Sequence, residues 1–337
     1  MHEPFMIAAL KQAWAGRGMT APNPAVGAVA VLNGMIIAQA VRAPNQGVGQ
    51  PHAEQLLLDM LPDDCSHITL YVTLEPCNHW GRTPPCTAGI IQRRFKQVVY
   101  AYTDPNPLVS KNNTPDLLRQ EGIDVLHYPM PEINAFYASY THWVQTGRPW
   151  VTVKIAQSID GKIAGKNNQR MQLSNAATSA VTHQARLHTD VILTTARTIQ
   201  QDNPLLTARV GETVVQKPIA VLDRAQSLDA TAHIHDTAQK LHLYHANTAS
   251  EKQIDLEAVL DDLGRIGYHD VWVEAGGRLF TALHQAQLVQ RTIVYIVPDN
   301  LGPDATPLYH AAHLLSGAKE VVFEILDDNL KMTLDWS

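Results

Sequence analysis

Strand-like and helical segments alternate along almost the whole chain, and this alternation limits the fold more than any other feature of the sequence. Residues 25–41, AVGAVAVLNGMIIAQAV, hold two β-rich runs joined by Asn33-Gly34, the dipeptide that most strongly predicts a tight hairpin. Further segments of the first half are predicted as a helix at 52–61, strands at 67–76 and 96–107, and a helix, a Gly stop and a strand within 114–128. Strands alternating with helices predict a sheet with helices packed on its faces.

The alternation restarts after a break near Gly147 and Pro149, where a helical pattern stops and a new apolar strand begins. We therefore place a boundary between two α/β domains, 1–147 and 148–337. In the second domain, strands are predicted at 150–161, 190–196, 218–223, 240–246, 269–277 and 291–297, helices at 175–188, 256–267 and 279–289, and a closing hairpin through Asp327-Asp328-Asn329.

Charge and composition favour an enzyme that acts on a small molecule. The 337-residue chain has a formal net charge of -6 and scattered Lys and Arg, so it lacks the basic surface that nucleic acid usually requires. No segment approaches about 18 uninterrupted apolar residues, and the first residues predict a helix rather than a signal peptide. We therefore expect a cytoplasmic enzyme with neither a nucleic-acid partner nor a membrane span.

Two of the three cysteines call for a role other than a disulfide, which the cytoplasm disfavours. Cys65 precedes an apolar run, where a free thiol usually packs as a small hydrophobic side chain. Cys77 and Cys86 instead flank the proline-rich stretch NHWGRTPP. Cys77 follows a predicted strand, and Cys86 begins a predicted helix.

His52 and Glu54, at the start of an earlier predicted helix, complete a set that suits catalytic zinc. Such sites take three protein ligands and keep a fourth position for water. A helix N-terminus favours a thiolate ligand, and His52 would bind as neutral imidazole. Glu54 would carry a proton from the water to a leaving amine, as in a hydrolytic deaminase. Considered alone, His52 would be interpreted as a helix cap and the two cysteines as core residues. Glu54 alone would be interpreted as a carboxylate in the first turn of a helix.

The order His-x-Glu and then Pro-Cys is that of zinc deaminases, although eight residues rather than two separate the cysteines here. With TAPNPAVGAV, VTLEPC and YTDPNPLV, this longer loop resembles the deaminase half of the bifunctional riboflavin-biosynthesis deaminase/reductases. VKIAQSIDGKIA, DNPLLTAR and VWVEAGGRLF are similar to landmarks of the reductase half of that family, so the resemblance covers the whole chain.

The resemblance implies a cytidine-deaminase-like three-layer α/β/α domain over 1–147 and a dihydrofolate-reductase-like α/β domain over 148–337. The first would deaminate 2,5-diamino-6-(5-phosphoribosylamino)pyrimidin-4(3H)-one with Zn²⁺ held by His52, Cys77 and Cys86. The second would reduce the ribosyl group to ribityl with hydride from NADPH, since no side chain supplies a hydride. A small phosphoribosylated pyrimidine is then the substrate, and we expect a homo-oligomer.

The resemblance also implies roles for further residues. Implied NADPH contacts are Ala156, Gln172, Thr198, Asp202, Arg224, Gly276 and Gly277, of which Asp202 is also a catalytic candidate. Implied substrate contacts are Asn23, Arg186, Leu206, Arg209 and Glu274. Without the resemblance, Asn23 would be a turn residue, the glycine pair an ordinary turn before a helix, and either arginine a surface ion pair. The roles of His79 and Arg82, between the two cysteines, stay open between solvation and phosphate binding.

Several positions depart from the family pattern and leave an alternative open. Asn45 stands where a His is usual, Gln172 where a Trp is usual, and Asn203 replaces an Asp. The alternative keeps the deaminase but makes the second domain a non-catalytic binding or dimerisation module. A nucleic-acid deaminase is disfavoured by the negative charge and the 6% aromatic content, and a structural zinc module by the three-ligand count beside Glu54.

Overall fold

The computed structural model describes residues 2–42, 51–80, 84–110, 113–246 and 254–336. The chain divides into two compact units, Met1–Gly147 and Arg148–Ser337. The helix before the division ends at Thr146, and Gly147 has a φ of 75°, a left-handed conformation that favours glycine at a helix end.

The first unit contains helices and strands in the alternating order expected from the sequence. Its helices are α1 Glu3–Gly16, α2 Ala53–Leu58, α3 Cys86–Gln92, α4 Pro107–Ser110, α5 Thr114–Gln120 and α6 Pro131–Thr146. Its strands are β1 Gly27–Leu32, β2 Met35–Val41, β3 Ile68–Leu74, β4 Gln97–Tyr102 and β5 Asp124–His127.

The described strands of the first unit form one sheet in the order β2-β1-β3-β4-β5. β1 is antiparallel to β2 and β3, whereas β3, β4 and β5 are parallel. The hairpin predicted at Asn33-Gly34 is confirmed, since Leu32 pairs with Met35 and both turn residues have positive φ. Positive φ at both positions matches the twist of a two-residue hairpin turn, and Asn and Gly accept it at low cost.

Hydrophobic cores cover both faces of this sheet. One core joins the sheet to α2, α3 and α5 through buried side chains that include Leu57, Ile90 and Leu118. The other joins it to α1 and α6 through side chains that include Met6 and Phe136. Helices thus lie on both faces of the sheet, which confirms the three-layer α/β/α architecture expected for this unit.

The second unit has a larger set of elements. Its strands are β6 Trp150–Ser158, β7 Lys162–Ala164, β8 Val191–Thr195, β9 Ala208–Val210, β10 Thr213–Val215, β11 Lys217–Leu222, β12 Ala238–Tyr244, β13 Asp270–Glu274, β14 Arg291–Val297, β15 Thr306–Pro307, β16 Glu320–Leu326 and β17 Asn329–Asp335. Its helices are α7 Ala176–His188, α8 Ala196–Asp202, α9 Ile234–Thr237, α10 Leu256–Ile266 and α11 Gly277–Gln285, with one 3-10 turn at Lys166–Asn168. Across the parts of the chain described in both units, no helix has the length and apolar character needed to cross a membrane.

An eight-stranded sheet, counted over the described residues, runs through this unit in the order β12-β11-β8-β13-β6-β14-β17-β16. Strands β12 to β14 of that order are parallel, and the predicted closing hairpin is confirmed as the antiparallel pair β16 and β17. Trp272 and Tyr295 pack with α7 and α8 on one face. On the other face, Nε2 of His284 in α11 lies 2.8 Å from the Thr292 hydroxyl. Helix α8 was not predicted from the sequence, because it has only one to two turns and few apolar residues.

Lys217, the first residue of β11, is buried to 1% exposure. Its Nζ donates to the carbonyl oxygen of Leu187 at 3.2 Å. Burial lowers the pKa of Lys217 to about 8, against the opposing influence of the Asp190 and Asp270 carboxylates. The folded state therefore binds the lysine proton less tightly than the unfolded chain does.

The wild-type protein should become more stable against unfolding as the pH rises above about 8, and Lys217→Met should remove this increase. Below about pH 8 the lysine is protonated in both states, and the folded state carries the cost of a buried charge. Between about 8 and 10.5 only the unfolded chain holds the proton, so stability rises with pH by up to about 3 kcal/mol. Urea midpoints of wild type and variant from pH 7 to pH 10 measure this.

Lys240→Met is the matched control, because Lys240 is an exposed lysine of the neighbouring strand β12. That variant should keep the wild-type pH dependence. Identical pH dependence in wild type and Lys217→Met would contradict the account of the buried amine.

Candidate functional site

Three potential metal ligands from separate elements meet in the first unit. His52 is the N-cap of α2, Cys77 follows β3, and Cys86 is the first residue of α3. Nδ1 of His52 lies 3.2 Å from Sγ of Cys86 and 3.5 Å from Sγ of Cys77, and all three donor atoms lie within 4.8 Å of one another. Tetrahedral zinc, with bonds of about 2.3 Å to sulfur and 2.0 Å to nitrogen, holds such ligands about 3.5 Å apart. The donor set therefore fits zinc.

Hydrogen bonds prepare the two sulfurs for a cation. The backbone N–H of Cys86 donates to Sγ of Cys77 at 3.3 Å, so that sulfur faces the first turn of α3. The Cys86 thiol also donates to it, and these contacts with Cys86, helped by His52, lower the pKa of Cys77 to about 4. The same shared hydrogen bond, together with burial, raises the pKa of Cys86. The lowered pKa of Cys77 favours its thiolate form, which is the form that binds a metal.

Glu54 lies beside the three donor atoms without belonging to the set. It is the second residue of α2 and is 4% exposed. Burial raises the pKa of its carboxyl group, against a lowering influence of His52. Within the described part of the chain, Oε2 of Glu54 has no hydrogen-bond partner although it is buried. A buried carboxylate oxygen in that state fits a partner supplied by bound metal and water.

Arg42 is a residue of this site that sequence reasoning missed. It directly follows β2 and is 5% exposed. Burial lowers its pKa, whereas the charges of Glu54 and Cys86 raise it. The guanidinium is therefore a buried counter-charge to the Glu54 carboxylate. No motif marks Arg42 in the sequence, because its proximity depends on how β2 lies against α2.

The remaining residues singled out in the first unit are not among the three potential metal ligands. Asn23 lies in the loop between α1 and β1, where its backbone N–H donates to Thr20 and its carbonyl accepts from the Thr20 hydroxyl. Nδ1 of His79 is buried and lacks a hydrogen-bond partner among the residues that the structure describes. Arg82 and Asn45 lie outside the described residues.

A cavity of about 270 Å³ lies in the second unit, near the carboxyl ends of β8 and β13. Crevices at the carboxyl ends of parallel strands are common ligand sites. Seven of the predicted site residues line it: Ala156, Arg186, Thr198, Asp202, Leu206, Glu274 and Gly276. The structure thus brings together residues that are up to 120 positions apart in the chain, Ala156 and Gly276.

Four predicted residues are not among those that line this cavity: Gln172, Arg209, Arg224 and Gly277. The Gln172 amide donates to the carbonyl and hydroxyl oxygens of Ser174. Arg209 is exposed on β9, and Arg224 is exposed after β11.

Arg186 and Glu274 are bound to each other rather than facing a ligand separately. Nε and Nη2 of Arg186 donate to the two carboxylate oxygens at 2.6 and 2.8 Å, and Nη1 donates to the carbonyl of Thr207 at 3.0 Å. Trp272 Nε1 also donates to Glu274 at 2.8 Å. Burial alone would raise the pKa of Glu274, but Arg186 lowers it to about 2. The pair is a fixed, ionised part of the cavity wall.

Lys154 and Arg170 line the same cavity and were not predicted. Lys154 lies on β6 between the buried Val153 and Ile155, and its Nζ is 5.4 Å from the centre of the Tyr295 ring. Burial lowers the pKa of Lys154, against the raising influence of Glu274. The sequence signal for Lys154 was its position as a polar residue between apolar neighbours of a predicted strand. Because alternate side chains face opposite sides of a sheet, its side chain is expected on the other face from those neighbours.

The two glycines at the start of α11 have different structural reasons. Gly276 is the N-cap of α11 and lines the cavity, and a Cβ added there would meet nothing within 4 Å. A Cβ on Gly277 would lie 2.3 Å from the carbonyl oxygen of Leu308. Gly277 is thus required by a backbone neighbour, whereas Gly276 leaves the helix N-terminus open to the cavity.

Comparison with known protein families assigns a domain to each unit. Residues 1–102 match the family described as the cytidine and deoxycytidylate deaminase zinc-binding region. Residues 149–326 match the RibD C-terminal domain.

Individual relatives are similar over nearly the full chain. The riboflavin biosynthesis protein RibD of Escherichia coli is 33% identical, over 91% of this chain and 90% of the relative, and that of Aquifex aeolicus is 32% identical, over 88% and 87%. A solved structure of Acinetobacter baumannii RibD has a TM-score of 0.85 at 28% identity and covers 98% of both chains. A Thermotoga maritima structure, described as a diaminohydroxyphosphoribosylaminopyrimidine deaminase/5-amino-6-(5-phosphoribosylamino)uracil reductase, also has a TM-score of 0.85 at 28% identity, over 99% of this chain and 98% of that one.

Replacing either cysteine of the candidate metal centre should remove most of the bound metal. Cys77→Ser and Cys86→Ser each lose a thiolate ligand, so metal analysis should find about one zinc per wild-type chain and little in either variant. Cys65→Ser is the matched control, because Cys65 is also buried but belongs to the hydrophobic core. Full zinc content in both ligand variants would contradict the assignment.

Proposed function

The chain belongs to the RibD family of bifunctional riboflavin-biosynthesis deaminase/reductases, and we infer from this membership that each of its two units carries one of the two activities. Met1–Gly147 is the zinc-dependent deaminase and Arg148–Ser337 is the NADPH-dependent reductase. Together they deaminate 2,5-diamino-6-(5-phosphoribosylamino)pyrimidin-4(3H)-one and then reduce its ribosyl group to ribityl.

The deaminase assignment is carried by the buried carboxylate oxygen of Glu54, which lies beside His52, Cys77 and Cys86 and has no hydrogen-bond partner among the described residues. The three residues would hold zinc, which when bound would lower the pKa of water and so supply a nucleophile at neutral pH. The Glu54 carboxylate would accept a proton from the water and pass it to the leaving amine. Arg42 balances the charge that Glu54 carries before the proton arrives.

Glu54→Gln should keep zinc and lose deamination. The neutral amide cannot accept a proton, and loss of positioned proton transfer typically lowers the rate by about 10²- to 10⁴-fold. The measurement is ammonia release from the diaminopyrimidine substrate, with metal content determined on the same sample. Glu132→Gln changes an exposed carboxylate in the first turn of α6 and should act as wild type. If Glu54→Gln deaminated at the wild-type rate, Glu54 would have no catalytic role and would serve only as a residue of the first turn of α2.

The reductase assignment is supported by the cavity that seven predicted residues share. Gly276 presents the N-terminus of α11 to the cavity, and helix N-termini bind phosphate groups. We propose that this turn holds the NADPH pyrophosphate, while Ala156, Thr198 and Asp202 lie along the nicotinamide. The paired Arg186 and Glu274 form a rigid polar wall for the pyrimidine.

A non-catalytic second unit is the weaker alternative. Gln172 and Asn203 motivated it from the sequence. The Gln172 amide donates to Ser174. The side-chain oxygen of Asn203 accepts from the backbone N–H of His233, and its carbonyl oxygen lies 3.0 Å from Nδ1 of the His233 ring. Both residues therefore make contacts inside the second unit, and neither is among the cavity-lining residues, which favours a working reductase.

The neighbouring glycines give a test of the cofactor site. Gly276→Ala should fold normally but raise the KM for NADPH, because its methyl group enters the open space at the N-terminus of α11. Gly277→Ala should instead lower thermal stability, because its methyl group meets the Leu308 carbonyl. The assays are NADPH absorbance with the deaminated substrate and thermal unfolding. If wild type consumed no NADPH, the alternative of a non-catalytic second unit would be supported. If Gly276→Ala had the wild-type KM for NADPH, the proposed position of the pyrophosphate at α11 would be wrong.

We further propose that the enzyme works in the cytoplasm as a homo-oligomer on its small-molecule substrate, without nucleic acid or a membrane. The three cysteines are free thiols, as is usual in a reducing compartment. β16 lies at the edge of its sheet and exposes Val321, Phe323 and Ile325. Contiguous exposed apolar side chains are typical of protein–protein contacts, which supports association of chains.

A further inference from the structure

The segment that ends helix α8 and follows it, residues 202–206, has two sides with different partners. Asp202, Pro204 and Leu206 line the reductase cavity. The residues between them, Asn203 and Leu205, are exposed and form hydrogen bonds to α9 and its N-cap. Alternate residues of this segment, which we call the 202–206 loop, therefore face the ligand cavity and a structural support.

Hydrogen bonds join both ends of α9 to the loop. His233, the N-cap of α9, donates its backbone N–H to the side-chain oxygen of Asn203 at 2.9 Å. Nδ1 of the His233 ring lies 3.0 Å from the Asn203 carbonyl oxygen, and it carries the proton, because a carbonyl oxygen only accepts. At the other end of α9, the Thr237 hydroxyl donates to the carbonyl oxygen of Leu205 at 2.7 Å.

The backbone of the loop needs such support. Asn203 has a φ of 38° and Leu206 a φ of 50°, both in the left-handed region. Asn adopts this conformation at low cost, whereas for Leu it is strained and persists only where the surroundings hold it. Leu206 is 3% exposed and shares a hydrophobic core with Ile234 of α9. Helix α9 is thus anchored in the core beside the strained residue and holds the loop by hydrogen bonds at the surface.

We propose that His233 and Thr237 are positioning residues of the reductase, which hold the 202–206 loop in place at the cavity. The proposal rests on the reductase function proposed above, in which Asp202 lies along the nicotinamide. Neither His233 nor Thr237 is among the described residues that line the cavity, so both act through the loop. Misplacement of a group at a reaction centre by about 1 Å lowers a rate by as much as about 10²-fold.

The same contacts give Asn203 a role at a position where the family usually has Asp. The side-chain oxygen of either residue type accepts a hydrogen bond from the His233 N–H. Both types also adopt left-handed conformations more readily than most residues. Asn203 therefore keeps the contact that supports the loop, and Asn203→Asp is a conservative variant that should keep it too.

The test compares wild type with His233→Ala, Thr237→Val and the double variant in the full chain. His233→Ala removes the ring contact, and Thr237→Val removes the hydroxyl while keeping the branched shape. His235→Ala is the matched control, because His235 is an exposed histidine of the same helix whose Nε2 lies 3.0 Å from the carbonyl oxygen of Asp229. Each protein is assayed for NADPH-dependent reduction of the deaminated substrate, at a temperature at which thermal unfolding shows every variant to be folded.

The double variant should lower kcat by about 10- to 100-fold, and each single variant should have a smaller effect in the same direction. KM for NADPH should change less than kcat, because the displaced groups orient the reacting ligands more than they bind them. His235→Ala and Asn203→Asp should both keep the wild-type kcat. A merely structural role would lower the unfolding temperature and leave kcat unchanged, and that result would overturn the proposal. An equal loss of kcat in His235→Ala would also overturn it.

Hydrogen–deuterium exchange of the loop separates this proposal from the proposed function, because exchange requires no turnover. The Asn203 N–H, which donates to the carbonyl oxygen of Ile199 at 2.8 Å, is the reporter. It should exchange at least about threefold faster in the double variant than in wild type or His235→Ala, because a released loop opens more often. Wild type that consumes no NADPH would refute the proposed function. Equal exchange in wild type and the double variant would refute the support of the loop by α9, whether or not the enzyme turns over.

Discussion

The deaminase centre depends on one packing constraint, which is that the amino ends of α2 and α3 lie beside the end of β3. The two helices share a buried core with the sheet through Leu57 and Ile90. They also approach closely, since a Cβ on Gly89 would lie 2.4 Å from Cδ1 of Leu58. This packing brings His52 within 3.2 Å of a sulfur 34 residues further along the chain. The metal chemistry therefore rests on an ordinary hydrophobic contact between helices.

The reductase cavity is organised by a buried ion pair. Burying Arg186 and Glu274 is costly, and such a pair is tolerated only where the geometry is good and the remaining donors are satisfied. Both conditions hold here, with two parallel hydrogen bonds between the side chains and further bonds to Thr207 and Trp272. Because the hydrogen bonds of the pair are satisfied within the second unit, the pair forms a fixed part of the cavity wall.

Local signals predicted much of the fold correctly. Asn33-Gly34 predicted a hairpin because few other residues accept positive φ at both turn positions. The long amphipathic helix α10 ends where Gly267 takes a φ of 101°. The short helix α8 was missed, since seven residues with little apolar periodicity give no clear pattern. Its N-cap, where Thr195 accepts from the Thr198 N–H, was the only local indication within that segment.

The sequence by itself determined the kind of chemistry in the first unit, because His52, Glu54, Cys77 and Cys86 are residue types with specific roles at a zinc site. It also determined the alternation of strands and helices, which follows from local periodicity. Only the tertiary structure decided which charges meet. Arg42 is buried within electrostatic range of Glu54, and Arg186 pairs with Glu274 across 88 residues of chain, since electrostatic partners depend on distance in space and burial rather than on spacing in the sequence.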